Sequence, residues 1–423
     1  PVKPLPQGWR SWRITTQNPA QRAEQHDQIG NQVIYWYDRW RIVHHYPRPR
    51  DPAAFRADVE KLHAGGAHRV YPYLDVTLMS SGDQTTIPGE SFHFLPPEWP
   101  RYGQAWMIQP NYRTTAYKRV SPASSWADFA LWCVRSWIVD GGATGIYLDE
   151  SFPYADTAAE HGMGYTDPQG VRQPTYAIFA TRNFYKRLAY LFQKYAKGSP
   201  ALMAHTSATI AVPYLSFADI QLTGEQYYHS MRKWEGDGYA SYIKMAPLED
   251  FHAEHRGAQF GLAPVILPLY KPPFSTKWPE TKTTEAPMRE LQALTLLHDV
   301  LVWPNFGNPQ PALRAQKIKA DFGIAADDVE FFPYWKSDPH RLVASADASI
   351  KVTYYRHSGQ LLVIVANLGD APASAELDAE SALDGKPARL AVDAESDEPL
   401  PIDGTRIKIT VPRRDYRILR IGS

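Results

Sequence analysis

The sequence predicts an α/β protein, a (β/α)8 TIM-like barrel over residues 1–325 followed by a C-terminal antiparallel β-sandwich over residues 326–423. Three observations predict it. Short apolar strand candidates alternate with amphipathic helical segments between residues 32 and 310. Polar residues recur at the ends of successive strand candidates, where a barrel gathers them at one mouth. After Phe331 the helical pattern stops, and short strands follow one another with turns between them. An open doubly wound sheet fits less well, because no Gly-rich phosphate fingerprint follows the first strand.

The elements follow in order. Residues 1–30 are a polar, Pro-containing lead-in with Trp9 and Trp12 as anchors and a strand near 12–15. Residues 32–37 form a strand carrying Trp36. Asp51 is an N-cap with Pro52 at the first helical position, Phe55, Val59 and Leu62 make a helical stripe, and Gly65-Gly66 stops it. A strand over 69–75 ends in Asp75. Residues 76–123 lack periodicity, apart from a strand candidate over 104–108 that includes Trp106; an insertion of that size has a job of its own. Ser124 opens a helix with Trp126, Phe129, Ala130, Cys133, Val134 and Trp137 on one side. It leads into the strand Gly145-Ile146-Tyr147-Leu148-Asp149, with Glu150 next. Residues 151–173 read as a loop and 176–195 as a long helix stopped by Gly198. Strands over 201–206, 217–223, 260–270 and 300–303 end at His205, Glu225, Tyr270 and Trp303, with Asn305 just beyond; a helix over 288–298 precedes the last.

Composition narrows the function. Lys plus Arg and Asp plus Glu each number 45, so the formal charge is zero and a nucleic-acid partner is not expected. Aromatic residues make up 13%, including 13 Trp and 25 Tyr, which suits a protein that stacks flat rings on the apolar faces of sugars as well as one with an aromatic core. The one cysteine, Cys133, rules out a disulfide framework and a cysteine zinc site. No apolar run is long enough to span a bilayer and no signal peptide is visible. The chain begins at Pro1, so it is expected to be a processed product or a fragment that lacks an N-terminal region. No cofactor and no metal are expected.

The chemistry concentrates at residues 145–150, a buried strand ending in two adjacent carboxylates. Two carboxylates at a strand end are the minimal equipment for glycoside hydrolysis. The bland alternative is a capping acid with a solvated neighbour. Strand alternation puts Tyr147 and Asp149 on the interior face and Leu148 toward the helices. The catalytic candidates are Asp149, Glu150 and Glu225. The substrate-binding candidates are Asp75, Trp36, Trp106, Tyr147, His205, Tyr270, Trp303 and Asn305. Singly, His205 reads as a structural histidine and Asp75 as a cap; their recurrence at one end of successive strands argues for a site. Two chemistries stay open. Glu150 is the general acid while Asp149 orients a 2-acetamido group that attacks in place of an enzyme nucleophile, or Asp149 is the nucleophile or base and Glu225 the acid.

The opening Pro1-Val2-Lys3-Pro4-Leu5-Pro6, the 145–150 strand, Gly224-Glu225-Gln226 and the tail segments Val363-Ile364-Val365-Ala366-Asn367-Leu368 and Val411-Pro412-Arg413-Arg414-Asp415-Tyr416 resemble glycoside hydrolase family 123 and its bacterial relatives. The resemblance covers most of the chain in order, through short motifs. It implies a barrel with a C-terminal β-sandwich, and an N-terminal β-sandwich domain absent here. It also implies retaining β-N-acetylgalactosaminidase activity by substrate assistance, with Asp149 orienting the acetamido group and Glu150 as acid. A secreted or periplasmic bacterial protein acting on an oligo- or polysaccharide follows from the resemblance alone.

Three rivals remain. A metal-dependent barrel hydrolase would draw on His44, His45, His252 and His255, which lack a His-x-His or His-Glu-x-x-His arrangement. A non-catalytic carbohydrate-binding barrel would keep the aromatic mouth and cleave nothing. A polysaccharide lyase would release unsaturated products.

Overall fold

The computed structural model describes residues 3–16, 32–37, 47–49, 51–83, 96–100, 107–108, 115–206, 209–233, 239–255, 259–270, 284–304, 306–336 and 342–423. Eight parallel strands form one sheet in sequential order: β1 (Trp12–Thr15), β2 (Gln32–Tyr37), β3 (Arg69–Asp75), β4 (Gly145–Asp149), β5 (Ala201–His205), β6 (Ile220–Thr223), β7 (Ala263–Ile266) and β8 (Leu301–Val302). Parallel neighbours require long crossovers, and helices supply most of them. The helix Pro52–Ala64 links β2 to β3, Trp126–Val139 precedes β4, Ile178–Tyr195 precedes β5, and Ala286–Leu297 precedes β8. The first begins as its sequence predicts, with the Asp51 carboxylate accepting from the Ala54 amide at 2.8 Å and Pro at the start.

Side-chain alternation divides the core into two layers. One apolar cluster takes residues from all eight strands: Trp12 and Ile14, Ile34, Tyr71 and Tyr73, Tyr147, Met203, Leu222, Val265 and Leu301. The intervening residues, among them Leu74, Ile146, Leu148, Leu202 and Ala204, pack outward on Trp126, Trp137, Phe184 and Leu188 of the helices. Residues from all eight strands therefore share one filled layer on the inner face of the sheet. Cα atoms of β1 and β8 come within 8 Å, though among the described residues no ladder joins them.

Gly145 opens β4 because Tyr71 fills the space beside it. A Cβ there would lie 2.0 Å from the Tyr71 ring and 2.6 Å from the Ala201 carbonyl oxygen, both buried and neither free to yield. Gly145→Ala is expected to destabilise the protein by about 3 kcal/mol or more, read as a lowered urea midpoint, because overpacking against backbone has no cheap relaxation.

The stretch 76–123 that lacks periodicity contributes an antiparallel sheet, Leu78–Asp83, Thr115–Arg119 and Met107–Ile108. The loop after β4 also carries structure, two short ribbons pairing Ala155–Asp156 with Thr175–Tyr176 and Tyr165–Thr166 with Arg172–Gln173. The strand candidate over 104–108 meets the inserted sheet at Met107–Ile108; the ribbons after β4 are not expected from periodicity, because two-residue strands have none to show.

The C-terminal region is an antiparallel sandwich. One sheet has the order β9 (Glu330–Phe332), β11 (Ile350–His357), β12 (Gln360–Asn367), β17 (Asp415–Gly422), β14 (Leu390–Asp393). The other has β10 (Val343–Ala346), β13 (Ala373–Asp378), β16 (Arg406–Val411), β15 (Ile402–Asp403). The near-continuous apolar run of β12 has a physical cause. Leu361, Val363 and Val365 face the second sheet, while Leu362, Ile364 and Ala366 face the barrel helices. Polar anchors join the two parts: Arg289 bonds Asp415 at 2.7 Å and Glu395 at 2.8 Å, and Arg10 and Tyr355 each bond Asp299 at 2.7 Å. Among the described residues, no helix is long and apolar enough to cross a membrane.

Candidate active site

The tripeptide Tyr-Leu-Asp occurs twice, at 73–75 and 147–149, and the fold sets the copies side by side. Strands β3 and β4 pair with Tyr73 opposite Tyr147 and Asp75 opposite Asp149. The two phenol rings stack at 5.4 Å with 25° between their planes. Both point inward, one pleat below the strand ends, so their hydroxyls rise toward Asp149.

Asp149 is the hub. Tyr73 donates to its Oδ2. Its Oδ1 accepts from the Glu150 amide at 2.9 Å and meets His205 Nδ1 at 2.8 Å, with the Tyr147 hydroxyl at 3.5 Å. Converging donors stabilise a carboxylate and fix its direction. Burial, together with the Asp149 charge, drives the ionisation of Tyr73 and Tyr147 well above the usual phenol range, so both remain donors. We assign the Nδ1 proton to His205 because Asp149 is acceptor-only; Nδ1 also meets the Tyr147 oxygen at 2.5 Å. Burial opposes a charge on His205, but the Asp149 bond and the Asp149 and Glu225 charges outweigh it and raise its pKa.

On the other side of the imidazole, Nε2 faces Glu225 Oε2 at 3.7 Å. Glu225 begins the 3-10 turn Glu225–Tyr227 directly after β6, and its side chain is 47% exposed. Gly224 before it has φ 123, and a Cβ there would sit 2.1 Å from the Leu267 carbonyl oxygen. Glycine is needed for the chain to turn at this point. Shielding by the site wall raises the Glu225 pKa; His205 opposes this and the Asp149 charge adds to it. Strands β4, β5 and β6 thus present a row of carboxylate, imidazole and carboxylate.

Glu150 lies one residue past β4 with φ 48, a left-handed conformation uncommon outside glycine. Its carboxylate accepts from the Thr77 hydroxyl at 2.9 Å and forms an ion pair with Arg119. Arg119 stacks over Tyr154 at 4.2 Å and comes from the inserted antiparallel sheet. A guanidinium against a carboxylate favours the charged form, which does not suit a proton donor.

Other predicted residues lie elsewhere. Asp75 is 1% exposed and turns back on its own loop, its Oδ1 accepting from the Thr77 and Leu78 amides at 2.8 and 2.7 Å. It is a buried turn-former, not a lining residue. Tyr270 is also corrected. Strand β7 ends at Ile266, so the chain has room to turn behind the sheet, where Tyr270 packs edge-on to Tyr242 and donates to the Pro287 carbonyl. Trp303 does face inward, but at 3% exposure it is buried in the inner apolar cluster with Trp9 and Trp12. Trp36 contributes backbone to β2 and its side chain lies outside the described residues, as do Trp106, Asn305, His44 and His45. His252 and His255 pack on Trp335 and Phe251 at 4.4 and 4.5 Å, and among the described residues no group of three or more His, Cys, Asp or Glu is arranged to hold a metal. Tyr73, Thr77 and Arg119 are the site residues sequence reasoning missed. The repeated Tyr-Leu-Asp was the available signal for Tyr73.

Asp75 makes a pH prediction. Burial and the neighbouring Asp149 charge raise its pKa to about 7, against an ordinary 3.8. The folded state therefore holds this proton more tightly than the unfolded chain, and stability falls as pH climbs through that interval. Asp75→Asn is expected to flatten this slope and to gain up to about 4 kcal/mol at pH 8, in urea titrations across the range. An unchanged slope would show that Asp75 is not the group responsible.

No family model matches the chain, and no curated protein matches it. Solved structures do. The chain is similar to a noncanonic maltogenic α-amylase from Thermotoga neapolitana, with a TM-score of 0.56 and 12% identity over 98% of this chain and 99% of that one. It is similar to a GH27 β-L-arabinopyranosidase from Geobacillus stearothermophilus, with a TM-score of 0.54 and 10% identity over 99% and 97% of the two chains. A candidate α-N-acetylgalactosaminidase from Bacillus halodurans gives 0.56 and 12% over 99% and 97%. At these identities the likeness is one of fold, and it runs through both the parallel-stranded part and the C-terminal sheets.

Proposed function

We propose that the protein is a glycoside hydrolase in which Asp149 and Glu225 are the two reacting carboxylates. The observation that carries this reading is the Asp149–His205–Glu225 row at the ends of β4, β5 and β6. Asp149, held by several donors, is the nucleophile or the base. Glu225, whose proton affinity is raised and whose side chain stays accessible, protonates the leaving oxygen. His205 bridges the two acids and holds Asp149 in place. The shared fold of the glycosidases named above supports the reaction class.

A second reading keeps the family 123 chemistry, with Asp149 orienting a 2-acetamido group and Glu150 as acid on a β-N-acetylgalactosaminide. The left-handed Glu150 favours it, since strained backbone collects at functional sites and Glu150 directly follows Asp149. The Arg119 ion pair weighs against it.

A panel of aryl glycosides of both anomers, with and without a 2-acetamido group, separates the two. Cleavage of sugars lacking the group, retained in Glu150→Gln and lost in Glu225→Gln, is the expected result. Cleavage of acetamido sugars alone, lost in Glu150→Gln, would install the second reading. No cleavage of any glycoside or polysaccharide, with sugar binding intact, would make this a carbohydrate-binding barrel.

A further inference from the structure

We infer that Glu254 is a positioning residue that aims Glu225 through Gln226, an inference that rests on the role proposed above for Glu225. Among the described residues, the contact that the Glu225 side chain makes is the long one to His205, 3.7 Å. A half-exposed carboxylate with so loose a contact takes its direction from the backbone that carries it. That backbone is the turn Gly224–Tyr227, and it is braced from one side.

Gly224, turned out of the ladder at φ 123, donates its amide to Gln226 Oε1 at 2.7 Å. Gln226 Nε2 donates to Glu254 Oε1, and the Tyr227 hydroxyl reaches Glu254 Oε2 at 3.4 Å. The Gly224 N–H only donates, so the Gln226 oxygen must face it and the amide nitrogen is left to donate to Glu254. Glu254 belongs to the helix Leu248–His255, whose Phe251 and His255 are buried. The brace therefore runs from a packed helix on the β6–β7 crossover to the turn that presents Glu225. Glu254 itself has no contact with Asp149 or His205 among those described, so its effect is confined to Glu225.

This predicts a defect in proton donation without loss of binding. The test uses aryl glycosides of whichever sugar the panel identifies, with leaving groups from dinitrophenol to phenol, on Glu254→Leu, Gln226→Leu, Glu254→Gln and, in parallel, Glu225→Gln. Glu254→Leu and Gln226→Leu are expected to lower kcat on the phenyl glycoside by about 10- to 100-fold, part of what a general acid supplies. The dinitrophenyl glycoside, which leaves without help, should stay near wild type, as should KM. Glu254→Gln retains an acceptor oxygen and should recover most of the loss. A uniform fall across all leaving groups, or no fall, would overturn the inference while Glu225→Gln keeps its leaving-group dependence. If Glu225→Gln shows no such dependence either, the role of Glu225 is itself wrong and the brace falls with it. Should Glu254→Leu fail to fold, Gln226→Leu gives the same reading from the other end.

Discussion

Asp149→Asn is expected to lower kcat/KM by about 10⁴-fold or more while leaving the circular dichroism spectrum and urea midpoint close to wild type. The size follows from the place of Asp149 in the site. The variant keeps the shape and one acceptor oxygen, so Tyr73 still has a partner. What disappears is the negative charge at the end of β4, around which Tyr73, Tyr147, His205 and the Glu150 amide are arranged. His205 would report the loss directly. Its pKa is raised because the Asp149 bond and the nearby charges outweigh burial; with Asp149 neutral, burial gains ground and the imidazole pKa falls, observable by proton NMR. If Asp149 is a covalent nucleophile, Asp149→Gly supplied with azide should convert a sugar that lacks a 2-acetamido group into a glycosyl azide. Absence of rescue on such sugars would point to Asp149 as a base or as an acetamido-orienting group.

Glu225→Gln is expected to reduce kcat by about 10²- to 10⁴-fold on phenyl glycosides, the span of general-acid catalysis, and by much less on dinitrophenyl glycosides. It also changes the pH profile. Glu225 is useful as an acid only while protonated, and its pKa is raised, so activity on poor leaving groups persists above the usual carboxylate range and then falls as pH rises through the folded value. The glutamine variant should lack that alkaline limb. A variant whose profile keeps the limb would assign it to another group, and Glu150 would be the next to replace.

Parts of this site were open to reading because they depend on local patterns. A strand that alternates Tyr147 and Asp149 on one face against Ile146 and Leu148 on the other declares which residues look inward, and the structure places them so. His205 and Glu225 were found by the same rule, as polar residues where an apolar run stops. The rule misfires when the run overshoots its strand. Residues 260–270 look continuous, but the ladder ends at Ile266, which puts Tyr270 behind the sheet. It also misfires when a polar strand end serves its own loop, as Asp75 does with the Thr77 and Leu78 amides. Arg119 has no signal of any kind: it reaches Glu150 from a strand of the inserted antiparallel sheet, and nothing in residues 115–119 announces that destination.

The sequence by itself determined the alternation of strands and helices, the change to successive short strands after Phe331, and the Asp149-Glu150 end of β4. These are set by periodicity and by Gly and Pro punctuation, which act over a few residues. Only the tertiary structure decided what each of the two adjacent acids meets. Asp149 faces Tyr73 and His205 across two strand interfaces, and Glu150 is occupied by a guanidinium 31 positions earlier in the chain. Charge state and direction at a carboxylate depend on what lies within a few ångströms, and those neighbours come from strands and loops distant in sequence.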